Sequence, residues 1–105
     1  KPLTIIYEGA KNLAANLISE DGSIGIRVTN EPFSSQLCKQ FRKPIVSTSA
    51  NISGEPAPAI FKEISDDIKN SVDYIVEYKQ KENTHTQPSS IIKLRRNGTI
   101  HIIRK

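Results

Sequence analysis

The chain is 105 residues long, 36% hydrophobic and 25% charged, with a formal net charge of +4. That is one domain's worth of polypeptide, able to bury roughly 60–68% of its unfolded surface, and its composition excludes a helical membrane protein and argues against intrinsic disorder. A single cysteine, Cys38, excludes an internal disulfide and a Cys-based zinc centre, and the mild positive charge favours anionic partners such as phosphate or RNA.

Residues 2–8 are rich in β-branched side chains and predict a strand. Residues 9–19 are ambiguous: Leu13, Leu17 and Ile18 allow a short helix, but Gly9 and two asparagines weaken it. Asp21-Gly22 marks a turn. Residues 23–29 alternate, with Ile24, Ile26 and Val28 on one face and Gly25 and Arg27 on the other, the pattern of a second strand. Asn30 is placed as an N-cap, with Glu31 and Pro32 in the first helical turn. Phe33, Leu37, Cys38 and Phe41 then share a helical face. Arg42 and Lys43 suit the C-terminal end of the dipole, and Pro44 stops the helix. Cys38 reads as a small core residue.

Residues 45–47 read as a short strand running into a polar loop, Thr48 to Gly54. Ile60, Phe61, Ile64 and Ile68 predict a second amphipathic helix ending near Asn70. A strand over 73–78 and a wholly polar loop over 79–87 follow. The last two strands, 89–96 and 99–104, flank Asn97-Gly98, a strong hairpin signal. Within the hairpin, Ile92, Leu94 and Ile103 are assigned to one face, and Lys93, Arg95 and Arg104 to the other with Ile91, Ile100 and Ile102. The fold class is therefore α/β of the α+β type: a twisted mixed sheet with two or three packed helices and a C-terminal β-hairpin. Both ends are strand-like rather than polar and frayed, so residues 1–105 are expected to form a single partial domain, the C-terminal portion of a longer one. Nothing in the sequence resembles a signal peptide, which leads to the expectation of a cytoplasmic protein.

Chemistry concentrates in Ser47-Thr48-Ser49-Ala50-Asn51-Ile52-Ser53-Gly54. Four hydroxyls, a carboxamide and a glycine directly after a strand can surround phosphate or carboxylate oxygens without bulk. The same residues also make ordinary turns that cap their own backbone. Arg27 could offer a rigid fork to an anion or lie on a solvated sheet face. Ser89 and Ser90, after Pro88, either close over a ligand or merely punctuate a strand start. The basic strip of the hairpin lacks interleaved aromatic residues, so a base-stacking platform is not supported. His85 and His101 have no ligating neighbours at metal-binding spacing, so no protein-bound metal is assigned. Neither a nucleophile elbow nor a Gly-rich phosphate loop is present.

These features, in this order, resemble the C-terminal part of the YrdC-like family, the threonylcarbamoyl-AMP synthases. The similarity rests on Pro2-Leu3-Thr4-Ile5-Ile6, on Gly25-Ile26-Arg27-Val28, and on the specific string Ser47 to Gly54 after Pro44-Ile45-Val46. Pro88-Ser89-Ser90-Ile91-Ile92 and the closing Ile102-Ile103-Arg104 complete it. The resemblance implies an enzyme that makes threonylcarbamoyl-AMP and pyrophosphate from L-threonine, bicarbonate and ATP, with magnesium brought by the nucleotide phosphates. It also implies partners: proteins of the tRNA threonylcarbamoylation pathway, and tRNA or double-stranded RNA. Carried over by motif, Ser47, Thr48, Ser49, Asn51 and Ser53 would line the nucleotide site. Arg27 would face the threonine or carbamoyl end, Ser89 and Ser90 would flank the ligand, and Arg104 would contact the adenylate. No single catalytic residue is assigned.

The sequence departs from the family pattern in places. Thr29 stands where proline is usual, Ser90 where threonine is usual, and Lys93 where an acidic residue is common. The Lys-Arg-Pro segment that binds ATP phosphates in the family has no counterpart here, so the 105 residues alone are expected to be inactive. An RNA-binding module without catalysis, and an interaction domain whose Ser/Asn loop is only a turn, are the competing readings.

Overall fold

The computed structural model describes residues 2–105. The chain divides into two compact units, Lys1–Lys43 with Pro88–Lys105, and Pro44–Gln87. The first holds a four-stranded mixed sheet built from β1 (Leu3–Tyr7), β2 (Ile24–Ile26), β3 (Ser90–Leu94) and β4 (Ile100–Arg104) in the order β2-β1-β3-β4. β1 pairs parallel to β3, and the two outer pairings are antiparallel. With two α-helices and the C-terminal hairpin, this is the mixed α+β fold the sequence predicts.

Register sets the faces. Ile5 lies opposite both Ile26 and Ile92, and Ile92 opposite Ile102. Because paired residues share a face and neighbours alternate, Leu3, Ile5, Tyr7, Ile24, Ile26, Ile92, Leu94, Ile100 and Ile102 form one apolar face. Thr4, Ile6, Gly25, Ile91, Lys93 and His101 form the other. Ile100 and Ile102 thus join Ile92 and Leu94 rather than Lys93, contrary to the alternation expected across the hairpin. A loop of three residues rather than two sets Leu94 opposite Ile100 and Ile92 opposite Ile102, and that one-residue offset reverses the side-chain phase. The ladder irregularity between Ile91 and Ile92, where the partner jumps from Arg104 to Ile102, lies beyond both residues.

The hairpin turn is wider than its Asn-Gly signal suggests. Arg95 N–H donates to Thr99 O at 3.0 Å, and Gly98 N–H donates to Arg95 O at 2.9 Å. Gly98 has φ +86°, whereas Asn97 is not in the left-handed region. The loop is therefore three residues, a tight turn closed by a left-handed glycine. β2 ends at Ile26, so Arg27 lies beyond the strand rather than within it. Val28, 86% exposed, is no core residue. The chain turns there toward the first helix, the Thr29 hydroxyl accepting the Glu31 N–H at 3.2 Å.

Helix α1 (Pro32–Phe41) starts one residue later than expected. Its N-cap is Glu31, whose carboxylate accepts the N–H groups of Phe33 at 3.2 Å and Ser34 at 2.9 Å. A long carboxylate side chain thereby satisfies two orphan donors and adds negative charge at the positive end of the helix. Arg42 (φ +62°) closes the helix, its N–H donating to Cys38 O at 2.9 Å. In the ambiguous region before β2, only a single 3-10 turn forms, Ala15–Leu17.

In the second unit, the helix expected over 60–70 breaks into a 3-10 turn (Phe61–Glu63) and α2 (Asp66–Ser71). Ser65 is the cause: it adopts an extended backbone, and its hydroxyl accepts the Ile68 N–H at 3.4 Å, so the chain restarts at a new N-cap. Neither 45–47 nor 73–78 forms a strand. A β-prone segment becomes a strand only by pairing, and among the described residues this unit contains no ladder. Among the described residues no hydrophobic side chain is fully buried; Ser23, at 5% exposure, is the one buried polar residue. No helix among them is long and apolar enough to cross a membrane.

Candidate functional site

The loop after Pro44 combines exposed hydroxyls with one constrained carboxamide. Ser47, Thr48, Ser49 and Ser53 are exposed, and Asn51 is half-buried. Asn51 Nδ2 donates to Ile52 O and to Glu55 O, both at 3.0 Å, and the Glu55 N–H also donates to Ile52 O at 2.9 Å. Both neighbours of Nδ2 are carbonyls, so the amide cannot be turned the other way. Asn51 Oδ1 is consequently buried without a partner. Gly54, with φ +90°, allows the turn that brings Glu55 back to the carboxamide. The loop caps itself, as a plain turn would, and still leaves one acceptor unsatisfied. An orphaned acceptor of this kind costs about 1–3 kcal/mol, which a ligand's N–H or O–H can recover.

In the sheet unit, three of the expected site residues meet. Arg104 Nε donates to Ser89 O at 2.9 Å, and its Nη2 lies 3.4 Å from Ser89 Oγ. Ser89 Oγ is 2.7 Å from Thr4 Oγ1, and the neighbouring Ser90 N–H donates to Pro2 O at 2.9 Å. The Pro-Ser-Ser segment is thus tied to β1 on one side and to β4 on the other. Thr4, the link in that chain, lies in the Pro2–Ile6 motif of the family resemblance but was not among the expected site residues. Arg27 is exposed and stands apart from this group among the described contacts.

Two further electrostatic groups were not legible beforehand. The Asp21 carboxylate accepts the Ser23 hydroxyl at 2.6 Å, the Lys93 ammonium at 2.9 Å and the Ser23 N–H at 3.0 Å. These contacts, the Ser23 hydroxyl first, hold its carboxyl well below the usual carboxylate range. Lys93 therefore has a local counter-charge. The Asp-Gly-Ser spacing signals the turn, but nothing local announces a lysine 72 positions away. In the second unit, Glu63 accepts the Ala59 N–H at 2.8 Å and pairs with His85 Nε2 at 3.1 Å. The Ala59 N–H, then His85, lower its pKa.

Charge is divided unevenly between the units. The sheet unit holds eleven Lys and Arg against four Asp and Glu, a net +7, whereas Pro44–Gln87 holds four against seven, a net −3. The overall +4 conceals a strongly basic first unit.

A family model described as "Telomere recombination" (Sua5/YciO/YrdC) matches residues 1–105. The chain belongs to the Sua5/YciO/YrdC family. Among curated relatives, the threonylcarbamoyl-AMP synthase of Pseudoalteromonas translucida is 37% identical over 85% of this chain and 46% of its own length. That of Vibrio cholerae is 32% identical over 74% of this chain and 42% of its own length. A Methanocaldococcus jannaschii relative is 34% identical over 96% of this chain and 45% of its own length. The chain spans about half the length of the curated relatives it matches. No solved structure gives a significant match. The Sua5/YciO/YrdC match takes in both units, so the Ser47–Gly54 loop and the Ser89–Arg104 tie both belong to the family region.

Proposed function

We propose that these 105 residues form part of the ligand site of a threonylcarbamoyl-AMP synthase serving tRNA modification, and that they are inactive alone. The observation that carries the reading is the orphaned Asn51 Oδ1 in a hydroxyl-rich loop, within a chain of the family whose curated relatives bear that name. In such a reaction negative charge develops on a mixed anhydride and on departing pyrophosphate, and fixed donors stabilise it. Exposed Ser47, Thr48, Ser49 and Ser53 can donate to such oxygens, while Asn51 Oδ1, buried here, accepts from a ribose hydroxyl or an amine only when the turn opens. Arg27 is free of described hydrogen bonds and ion pairs and available to a carboxylate. Arg104 reaches an adenylate only by sharing or leaving its contact with Ser89. Magnesium enters as part of the nucleotide substrate. Positioning, rather than a general base, is the contribution of these residues.

An amide NMR titration of the nitrogen-labelled chain with ATP and L-threonine tests this reading. Shifts confined to Arg27, Ser49–Gly54 and Ser89–Ser90 are expected. An unmoved, well-dispersed spectrum, together with full synthase activity of Asn51→Ala in a longer family protein carrying these residues, would refute it. One observation favours a second reading, contact with RNA: the net +7 of the sheet unit. Binding to duplex RNA that falls steeply with salt and ignores ATP would support that alternative.

A further inference from the structure

The second unit is acidic, yet its positive charge is gathered in one place. Its four cations are Lys62, Lys69, Lys79 and Lys81. Lys62, Lys69 and Lys81 line a cleft of about 500 Å³ with Phe61, Gln80 and Asn83. None of the unit's seven carboxylates lines it. The adjoining cleft shares Phe61, Gln80 and Lys81 but carries Glu77, and suits an anion less. Every lining residue belongs to Pro44–Gln87, so the form of the cleft is internal to that unit. One side is the 3-10 turn and α2, where the Lys69 ammonium stands 4.5 Å from the Phe61 ring centroid. The other is the polar loop, held by local bonds. Gln80 Nε2 donates to Val76 O at 2.9 Å, and the Glu82 N–H donates to Lys79 O at 3.2 Å. His85 joins the two sides, with Nε2 3.1 Å from the Glu63 carboxylate and Nδ1 3.2 Å from Asn83 O. Glu63, next to Lys62 in sequence, thus has partners of its own in His85 and the Ala59 N–H.

We propose that this cleft binds a diphosphate group, free as pyrophosphate or carried by a nucleoside diphosphate. Within Pro44–Gln87 no ion pair is described for Lys62, Lys69 or Lys81. Like charges gathered without a counter-ion repel one another, and a multiply charged anion relieves that repulsion. Each ammonium is a point charge with three donors, suited to the many oxygens of a phosphate chain rather than to one planar carboxylate. The Asn83 carboxamide adds a neutral donor. The Phe61 ring forms an apolar wall beside Lys69, which is half-buried, and so weakens the screening of its charge by water. The volume is that of a small-molecule site and leaves room for a nucleoside beside the phosphates. The cleft shares no residue with the Ser47–Gly54 loop and stands independently of the family reading.

The test is an amide NMR titration of the nitrogen-labelled chain with sodium pyrophosphate, set against sodium chloride at equal ionic strength. Saturable shifts are expected at Phe61, Lys62, Lys69, Gln80, Lys81 and Asn83 with pyrophosphate only. Lys69→Gln and Lys81→Gln should each weaken binding at least about fivefold. Lys69→Arg keeps the charge and should stay within about threefold of the unaltered chain. Lys39→Gln on α1 removes the same charge from the other unit and should change binding less than about twofold. Unchanged amide shifts elsewhere in each variant separate loss of binding from loss of fold. ADP is the second probe: tighter binding of ADP at these residues assigns a nucleotide, and tighter binding of pyrophosphate assigns the free diphosphate. No saturable shift with either probe would overturn the proposal. So would shifts that chloride reproduces, or equal weakening by Lys39→Gln. If ATP and L-threonine move Ser49–Gly54 while the cleft ignores every phosphate probe, the proposed function stands and this site falls. Pyrophosphate saturating the cleft, with a loop that never responds, would do the reverse.

Discussion

Replacing Asn51 by alanine removes two hydrogen bonds to the carbonyls of Ile52 and Glu55 and deletes the orphaned Oδ1. Both bonds face solvent, so the lower part of the usual range applies, about 0.5–1 kcal/mol each. Together they amount to about 1–2 kcal/mol, but deleting the orphaned acceptor returns about 1–3 kcal/mol, so in Asn51→Ala the two nearly cancel. The Glu55 amide, which donates to Ile52 O across the same turn, is the natural probe. Its hydrogen-exchange protection should change by less than about tenfold in Asn51→Ala. Asn51→Asp keeps the buried acceptor, loses both donors and sets a carboxylate against two carbonyls, so there protection should fall roughly 5- to 30-fold. Unchanged Glu55 protection in Asn51→Asp would refute the claim that the carboxamide holds the loop. A loop left intact by Asn51→Asp, with ligand binding lost, would instead assign Asn51 to the ligand alone.

Three further outcomes follow from the geometry. The folded-state pKa of Asp21 is depressed, so its stabilisation is complete above the unfolded carboxylate value of about 4 and is lost as pH falls below it. Asp21→Asn should flatten the acid side of a plot of urea midpoint against pH, and an unchanged acid slope would contradict this. Glu31→Ala should cost α1 about 1 kcal/mol, the usual price of a lost cap; unchanged Phe33 and Ser34 amide exchange would show that the cap is not formed. Gly98→Ala forces a side chain into the left-handed region (φ +86°) and should destabilise the hairpin by roughly 1–2 kcal/mol. Retention of the β3–β4 cross-strand contacts in NMR spectra, with no fall in denaturation midpoint, would refute that.

Much of the local structure was legible because it depends on neighbouring residues. The β-branched run at Leu3–Tyr7, the apolar spacing of α1 and the Asn-Gly turn each act within a few positions. The family string from Ser47 to Gly54 was legible for the same reason. The segments that failed as strands, 45–47 and 73–78, have suitable residues and no partner, and pairing is a property of the fold. Ser65 broke a helix that periodicity alone would continue, because its hydroxyl offered the backbone a competing bond. Arg27 was legible as a residue type but misplaced, since the end of β2 depends on where the chain turns toward α1.

By itself, then, the sequence determined element types over most of the chain, the hydroxyl-rich loop and the family. Only the tertiary structure decided the register that gathers nine apolar side chains on one face of the sheet. It alone joined Arg104 to Ser89, paired Lys93 with Asp21 and left Asn51 Oδ1 without a donor. The physical reason is distance along the chain. Propensity and capping act over a few residues, whereas ladder register and long-range ion pairs depend on segments many positions apart meeting in space.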